Sequence, residues 1–221
     1  MSVSNANLQR ASTLVATALI VTVVTQILYL ALLGGPQPSD PAAGLTNADI
    51  AAYFTDRWNE VAIVWTVEAI TFITIAVGAL FAMVDDRRRL GWAAIAIAGI
   101  LNIVQIGIGL TLFKPVALAG EDYTWMFWAV VSGAFGFYFI AKIALGIAAA
   151  VFGLSFMREA VGLMGRIIGG LTLAVGTLAA ISNIAALGAG MNWLFVAGGS
   201  GTLAALLLGI VLAISGKDRK A

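Results

Sequence analysis

Six stretches of this chain are long and apolar enough to cross a bilayer: residues 12–33, 61–84, 92–113, 125–157, 167–187 and 193–215. A hydrocarbon core about 30 Å thick takes about 20 apolar residues per helix, and backbone groups inside it must be satisfied within the segment. The runs are continuous rather than alternating, which disfavours a β-barrel. With 61% hydrophobic and only 10% charged residues, the chain lacks the charge that a water-facing surface of this size carries. The expected fold is therefore all-α: an integral membrane protein, with residues 1–221 forming a single bundle of six transmembrane helices. The first run, at 22 residues, exceeds the apolar region of a signal peptide and is read as a retained helix. The 25 glycines suit closely packed helices.

Basic residues set the orientation. Arg10, Arg87, Arg88, Arg89, Arg158, Arg166, Lys217, Arg219 and Lys220 flank the runs on one side, whereas only Arg57 and Lys114 lie on the other. By the positive-inside rule both termini are cytoplasmic, in the cell membrane. The sequence DDRRRLG (85–91) then serves as a topology anchor.

What is missing excludes much chemistry. The chain has no Cys and no His. Disulfides, thiol catalysis and Fe–S ligation are out, and haem b, copper and the usual catalytic zinc sites are not expected. No cofactor or metal is expected, and a net charge of +1 gives no reason to expect a nucleic-acid partner.

The longest loop, 34–60, opens with Pro36, Pro38 and Pro41 and continues TNADIAAYFTDRW. Thr46 followed by Asp49 resembles a capping box, and Ile50, Tyr53 and Phe54 recur at helical spacing. A short amphipathic helix in the outer interface is expected, serving as an aromatic belt or as a lid.

A weak internal repeat underlies the site prediction. Glu68, Leu80, Met83 and Gly91 align with Lys142, Leu154, Met157 and Gly165 at a constant offset of 74. This suggests a parallel repeat of helical hairpins, the second and third spans against the fourth and fifth. Glu68 and Lys142 each lie 15 residues before the aligned methionine. At about 1.5 Å per residue both stand about 22 Å from the cytoplasmic end, and opposite charges at one depth are candidates to pair. Gln26, Tyr29, Asn102, Gln105, Asn183 and Ser200 fall at similar heights, and Trp65 and Tyr138 lie one helical turn from the two charges. The amide and hydroxyl groups read first as interhelical glue, worth about 0.6 kcal/mol each. The charges do not, because a cation at the middle of a span costs about 2.5–3.5 kcal/mol.

Three functions fit these residues. The preferred one is binding or transport of a small or amphiphilic molecule in the outer half of the bundle, at Glu68, Lys142, Gln105, Gln26, Tyr29, Asn102, Asn183, Trp65 and Tyr138. The second is an accessory subunit of a membrane complex, or a homo-oligomer, docking through small-residue faces such as Gly165 and Gly169. The third is an enzyme using Glu68 as general acid or base on a lipid-like substrate.

Overall fold

The computed structural model describes residues 3–218, of which 3–5 and 216–218 are described by backbone alone. The described part of the C-terminal tail therefore omits the side chain of Lys217, and Arg219 and Lys220 lie outside the described residues.

The described chain is helical, with no strand among its residues. Helix α1 (Val3–Leu32) ends where Gly34 and Gly35 adopt positive φ and accept the chain reversal before the prolines. Helix α2 (Asn47–Asp56) is joined to α3 (Trp58–Asp85) by Arg57 alone. Helix α4 (Arg89–Ile108) runs through a π-helical turn (Gly109–Phe113) into the short α5 (Lys114–Ala117). Then come α6 (Thr124–Glu159), α7 (Leu163–Ala189) and α8 (Leu194–Asp218).

Five stretches are long and apolar enough to cross a membrane: Ala6–Leu32, Trp58–Asp85, Arg89–Ala117, Glu121–Glu159 and Leu163–Ser215. The fifth is 53 residues long. It is divided into α7 and α8 by a 3-10 turn (Gly190–Trp193), where Gly190 has φ +67°. The six long helices are thus those expected from the apolar runs.

Packing closes them into a bundle. Helix α1 lies between α3 and α8, α3 packs on α4, α4 on α6, and α7 on both α6 and α8, while α6 also meets α8. Val15, Leu19, Ile75, Trp92, Ile95, Phe152, Leu208 and Leu212 fill the interior. The outward faces are no less apolar: Ile27, Leu30, Ile63, Ile70, Phe81, Ile97, Leu178 and Ile181 are all exposed. So continuous an apolar exterior suits a bilayer rather than water, and the all-helical fold is compatible with a membrane helical bundle.

The tightest seam joins α6 and α7. A Cβ added to Gly153 would fall 2.8 Å from the Gly169 carbonyl, and one on Gly146 would fall 2.6 Å from the Gly176 carbonyl. Glycine lets the two backbones touch there. This corrects the expectation that Gly165 and Gly169 form a free docking face. Gly169 meets the Met157 backbone and Gly165 meets Ala160, so both serve packing within the bundle.

Helix α2 carries the expected capping box. The Thr46 hydroxyl takes the Asp49 N–H at 3.2 Å, and the Asp49 carboxylate takes the Thr46 N–H at 3.0 Å. The Thr46 hydroxyl also donates to the Asp49 carboxylate at 2.7 Å, and this bond foremost, with the one from the Thr46 N–H, holds the exposed Asp49 carboxyl down at about 2. The helix does more than float at an interface. Ile50 and Phe54 are buried among Phe113, Ala117, Phe127 and Val131, and Arg57 Nη2 donates to the Leu32 carbonyl at the end of α1.

Candidate functional site

Lys142 sits in the middle of α6 and is 2% exposed. Its aliphatic stem crosses α8 at Gly201, where an added Cβ would stand 2.6 Å from the lysine Cδ. The ammonium meets the Gln26 Oε1 of α1 at 3.4 Å and lies 5.0 Å from the centroid of the Tyr138 ring. Gln26 Oε1 also accepts the Thr202 hydroxyl of α8 at 2.9 Å. Tyr138 stands beside Thr202, and its hydroxyl occupies the space left by Gly198. Helices α1, α6 and α8 thus meet at one node, with the glycines of the AGGSGT run as its clearance.

Glu68 on α3 is 7% exposed. Its Oε1 lies 3.0 Å from the Thr25 hydroxyl of α1. A turn further toward the arginine-bearing end, the Thr22 and Thr71 hydroxyls are 3.0 Å apart. Glu68 and Lys142 act on each other electrostatically. They do not touch: among the described residues no ion pair within 4.0 Å joins them. In place of the direct pairing expected from their common depth, each group is held by a different one of two adjacent residues of α1. Thr25 faces the acid and Gln26 faces the base.

Above Glu68 the lining turns aromatic. Tyr29 stacks on Trp65 with ring centroids 5.9 Å apart, and Trp65 meets Phe113 edge-on at 5.6 Å. A Cβ on Gly109 would strike Trp65 at 2.8 Å, so the glycine that opens the π turn makes room for that ring. Such π-helical turns inside α-helices are frequent at functional sites. Phe54 of α2 packs against Phe113 and Phe127, and the Tyr53 hydroxyl lies 3.3 Å from that of Tyr29. Helix α2 therefore covers the aromatic end of the Glu68 and Lys142 layer.

The other predicted residues divide. Asn183 donates to the Ala197 carbonyl at 2.9 Å and Ser182 meets Ser200 at 2.7 Å, fastening α7 to α8. Asn102 donates to the Ala98 carbonyl of its own helix. Neither Asn102 nor Gln105 is hydrogen-bonded to Glu68 or Lys142 among the described residues. Thr22, Thr25, Thr71 and Thr202 were missed. A usable signal existed in Thr22, Thr25, Gln26 and Tyr29, which recur at i, i+3, i+4 and i+7 and so form a polar stripe on one face of α1.

A second polar centre lies at the arginine-bearing end. Arg88 closes on Asp86 at 2.6 Å, with side chains only 9% and 1% exposed. The Arg88 guanidinium also lies 4.7 Å from the centroid of Phe152. Burial raises the Asp86 carboxyl, but hydrogen bonds from the Arg88 side chain and backbone outweigh it and hold the group at about 2. The Trp92 indole N–H faces the same carboxylate without reaching full hydrogen-bond geometry. The 85–91 turn is thus a built structure as well as a charge anchor.

Comparisons with protein-family models, with curated proteins and with solved structures return no match.

Proposed function

We propose that this chain is a multi-pass protein of the cell membrane that binds or transports a small or amphiphilic molecule in the outer half of its bundle. In this reading both termini and the 85–91 turn are cytoplasmic and α2 lies outside. The observation that carries it is Lys142, an ammonium buried with no carboxylate of the described residues within 4.0 Å. A cation kept only for stability is readily replaced by an apolar residue of similar volume. An uncompensated one invites an anionic group, and ionisable residues inside spans are functional by default.

An anionic group of the ligand would meet Lys142, Gln26 and Thr202, with Glu68 and Thr25 open to a donor on the same molecule. Its apolar part would lie against Tyr29, Trp65 and Phe113, with α2 as the cover. Of the small residues that the accessory-subunit reading drew on, Gly169 meets the α6 backbone and Gly165 meets Ala160, whereas Gly107, Gly133, Gly136 and Gly199 have nothing within 4 Å. The enzyme reading would assign Glu68 proton transfer and gains no further group from the geometry. The parallel repeat belongs to the same proposal and rests on the sequence offset of 74, since Gly91 meets Phe152 of α6 whereas Gly165 meets Ala160 of its own turn.

Mass spectrometry of detergent-purified protein tests the binding reading through a stoichiometric small molecule, and its absence counts against it. Orientation is checked by an impermeant maleimide on intact cells: Ala43→Cys should label and Arg89→Cys should not.

A further inference from the structure

A groove of about 490 Å³ opens at the arginine-bearing end, between the start of α4 and the last turns of α6. Arg87, Arg88, Arg158 and Glu159 supply its ionic lining, and Leu90, Val151 and Leu154 its apolar wall. Glu159 is already engaged, taking Arg87 Nη2 at 2.6 Å and the Ser155 hydroxyl at 3.0 Å. That contact holds Arg87 over the groove. Arg88 is balanced from behind by Asp86. Arg158 makes no hydrogen bond or ion pair among the described residues, and it is exposed at the mouth.

The helix C-terminus beside Arg158 would by itself favour a cation, which accounts for its charge but not for the groove. Three further features point to a ligand. The guanidinium groups of Arg87, which Glu159 holds at one nitrogen, and of exposed Arg158 line one concavity, their forks suit a phosphate, and the wall continues into the exterior through Leu90, which is 66% exposed. A free phosphate has no use for an apolar wall that opens sideways into the acyl region. A lipid has one.

We propose that this groove binds the headgroup of an anionic glycerophospholipid, with the phosphate between Arg87 and Arg158 and one acyl chain along Leu90, Val151 and Leu154. The site is independent of the one around Lys142. Basic pockets between spans at the cytoplasmic side have the same physical logic, each nearby cation adding roughly a fivefold preference for an anionic lipid.

The test is a lipid titration of delipidated full-length protein in a neutral detergent, read by native mass spectrometry. Phosphatidylglycerol should bind about tenfold more tightly than phosphatidylcholine, less than two free cations would give because Arg87 is shared with Glu159. Arg87→Gln/Arg158→Gln should lower that preference to about twofold or less, whereas Arg158→Lys should keep most of it. Arg89→Gln removes the same charge from a residue outside the groove and should leave the preference intact. Inorganic phosphate should not displace the lipid. Equal binding of the two lipids, a preference that survives the double variant, a loss as large with Arg89→Gln, or displacement by phosphate would each overturn the assignment.

Discussion

Lys142 Nζ lies 3.4 Å from Gln26 Oε1, while the opposite charge in its layer, Glu68, is held by the neighbouring Thr25. Base and acid are thus presented to one another by consecutive residues of α1 without an ion pair. The energetic consequence differs from that of a direct pair, whose breakage would cost about 3–5 kcal/mol. Lys142→Met removes a desolvated cation and should stabilise the protein by about 1 kcal/mol in detergent unfolding. A double-mutant cycle of Gln26→Leu with Lys142→Met should show coupling of about 0.5–1 kcal/mol, no smaller than that of Glu68→Gln with Lys142→Met. A large loss on Lys142→Met, recovered by adding Glu68→Gln, would instead reveal a direct pair in the membrane.

The glycines of α8 give a sharper contrast. At Gly201 an added Cβ falls 2.6 Å from Lys142 Cδ, whereas at Gly199 nothing lies within 4 Å. Gly201→Leu should therefore cost about 1–3 kcal/mol and turn the lysine off Gln26. Gly199→Ala should be neutral or slightly stabilising, since Ala is the better helix former. Equal effects at the two positions would mean that the stem of Lys142 does not rest on α8.

Helix α2 separates cover from core. Phe54 is 2% exposed among four other aromatic rings, those of Tyr53, Trp58, Phe113 and Phe127, so Phe54→Ala should lower stability by about 3 kcal/mol or more. Tyr53 contributes a hydroxyl facing Tyr29. Tyr53→Phe should leave thermal stability nearly unchanged and speed exchange of the bound molecule. Unchanged exchange with lost stability would reduce α2 to packing.

Acid should act at the other end. The Asp86 carboxyl is held at about 2, below its ordinary value, so it favours the folded state above pH of about 4. That contribution is lost as pH falls from about 4 toward 2. Asp86→Asn should cost about 3 kcal/mol at neutral pH, since it leaves Arg88 uncompensated, and should flatten the acid limb of a melting-temperature profile. An unchanged acid limb would assign the acid sensitivity elsewhere.

Much of this architecture was legible because apolar length and helix span are linked by simple geometry. The six long helices and the Thr46 and Asp49 cap follow from runs and spacings alone. The site was legible in height but not in azimuth. Counting residues puts Asn102 and Gln105 near the height of Glu68, yet among the described residues neither is hydrogen-bonded to it, and Asn102 donates to Ala98 of its own helix. Nor does the sequence say which helices touch: α6 packs on α4, α7 and α8, and Lys142 rests its stem on α8 at Gly201 while its ammonium reaches Gln26 of α1. The threonines escaped because their hydroxyls can return a hydrogen bond to their own helix, as Thr22 does to Ala18 at 2.9 Å, and so read as nearly apolar. Arg88 and Asp86 looked like surface charge because burial of a turn depends on Trp92 and Phe152, which close over it from α4 and α6.

The central claim, that Lys142 holds a bound molecule, is tested most directly by weighing the purified protein intact. Native mass spectra of wild type, Lys142→Met and Arg87→Gln/Arg158→Gln should be taken from one mild-detergent preparation. Wild type and the arginine variant should carry the same stoichiometric adduct, and Lys142→Met should lose it while remaining folded. An adduct retained by Lys142→Met, or none on any of the three, would contradict the account.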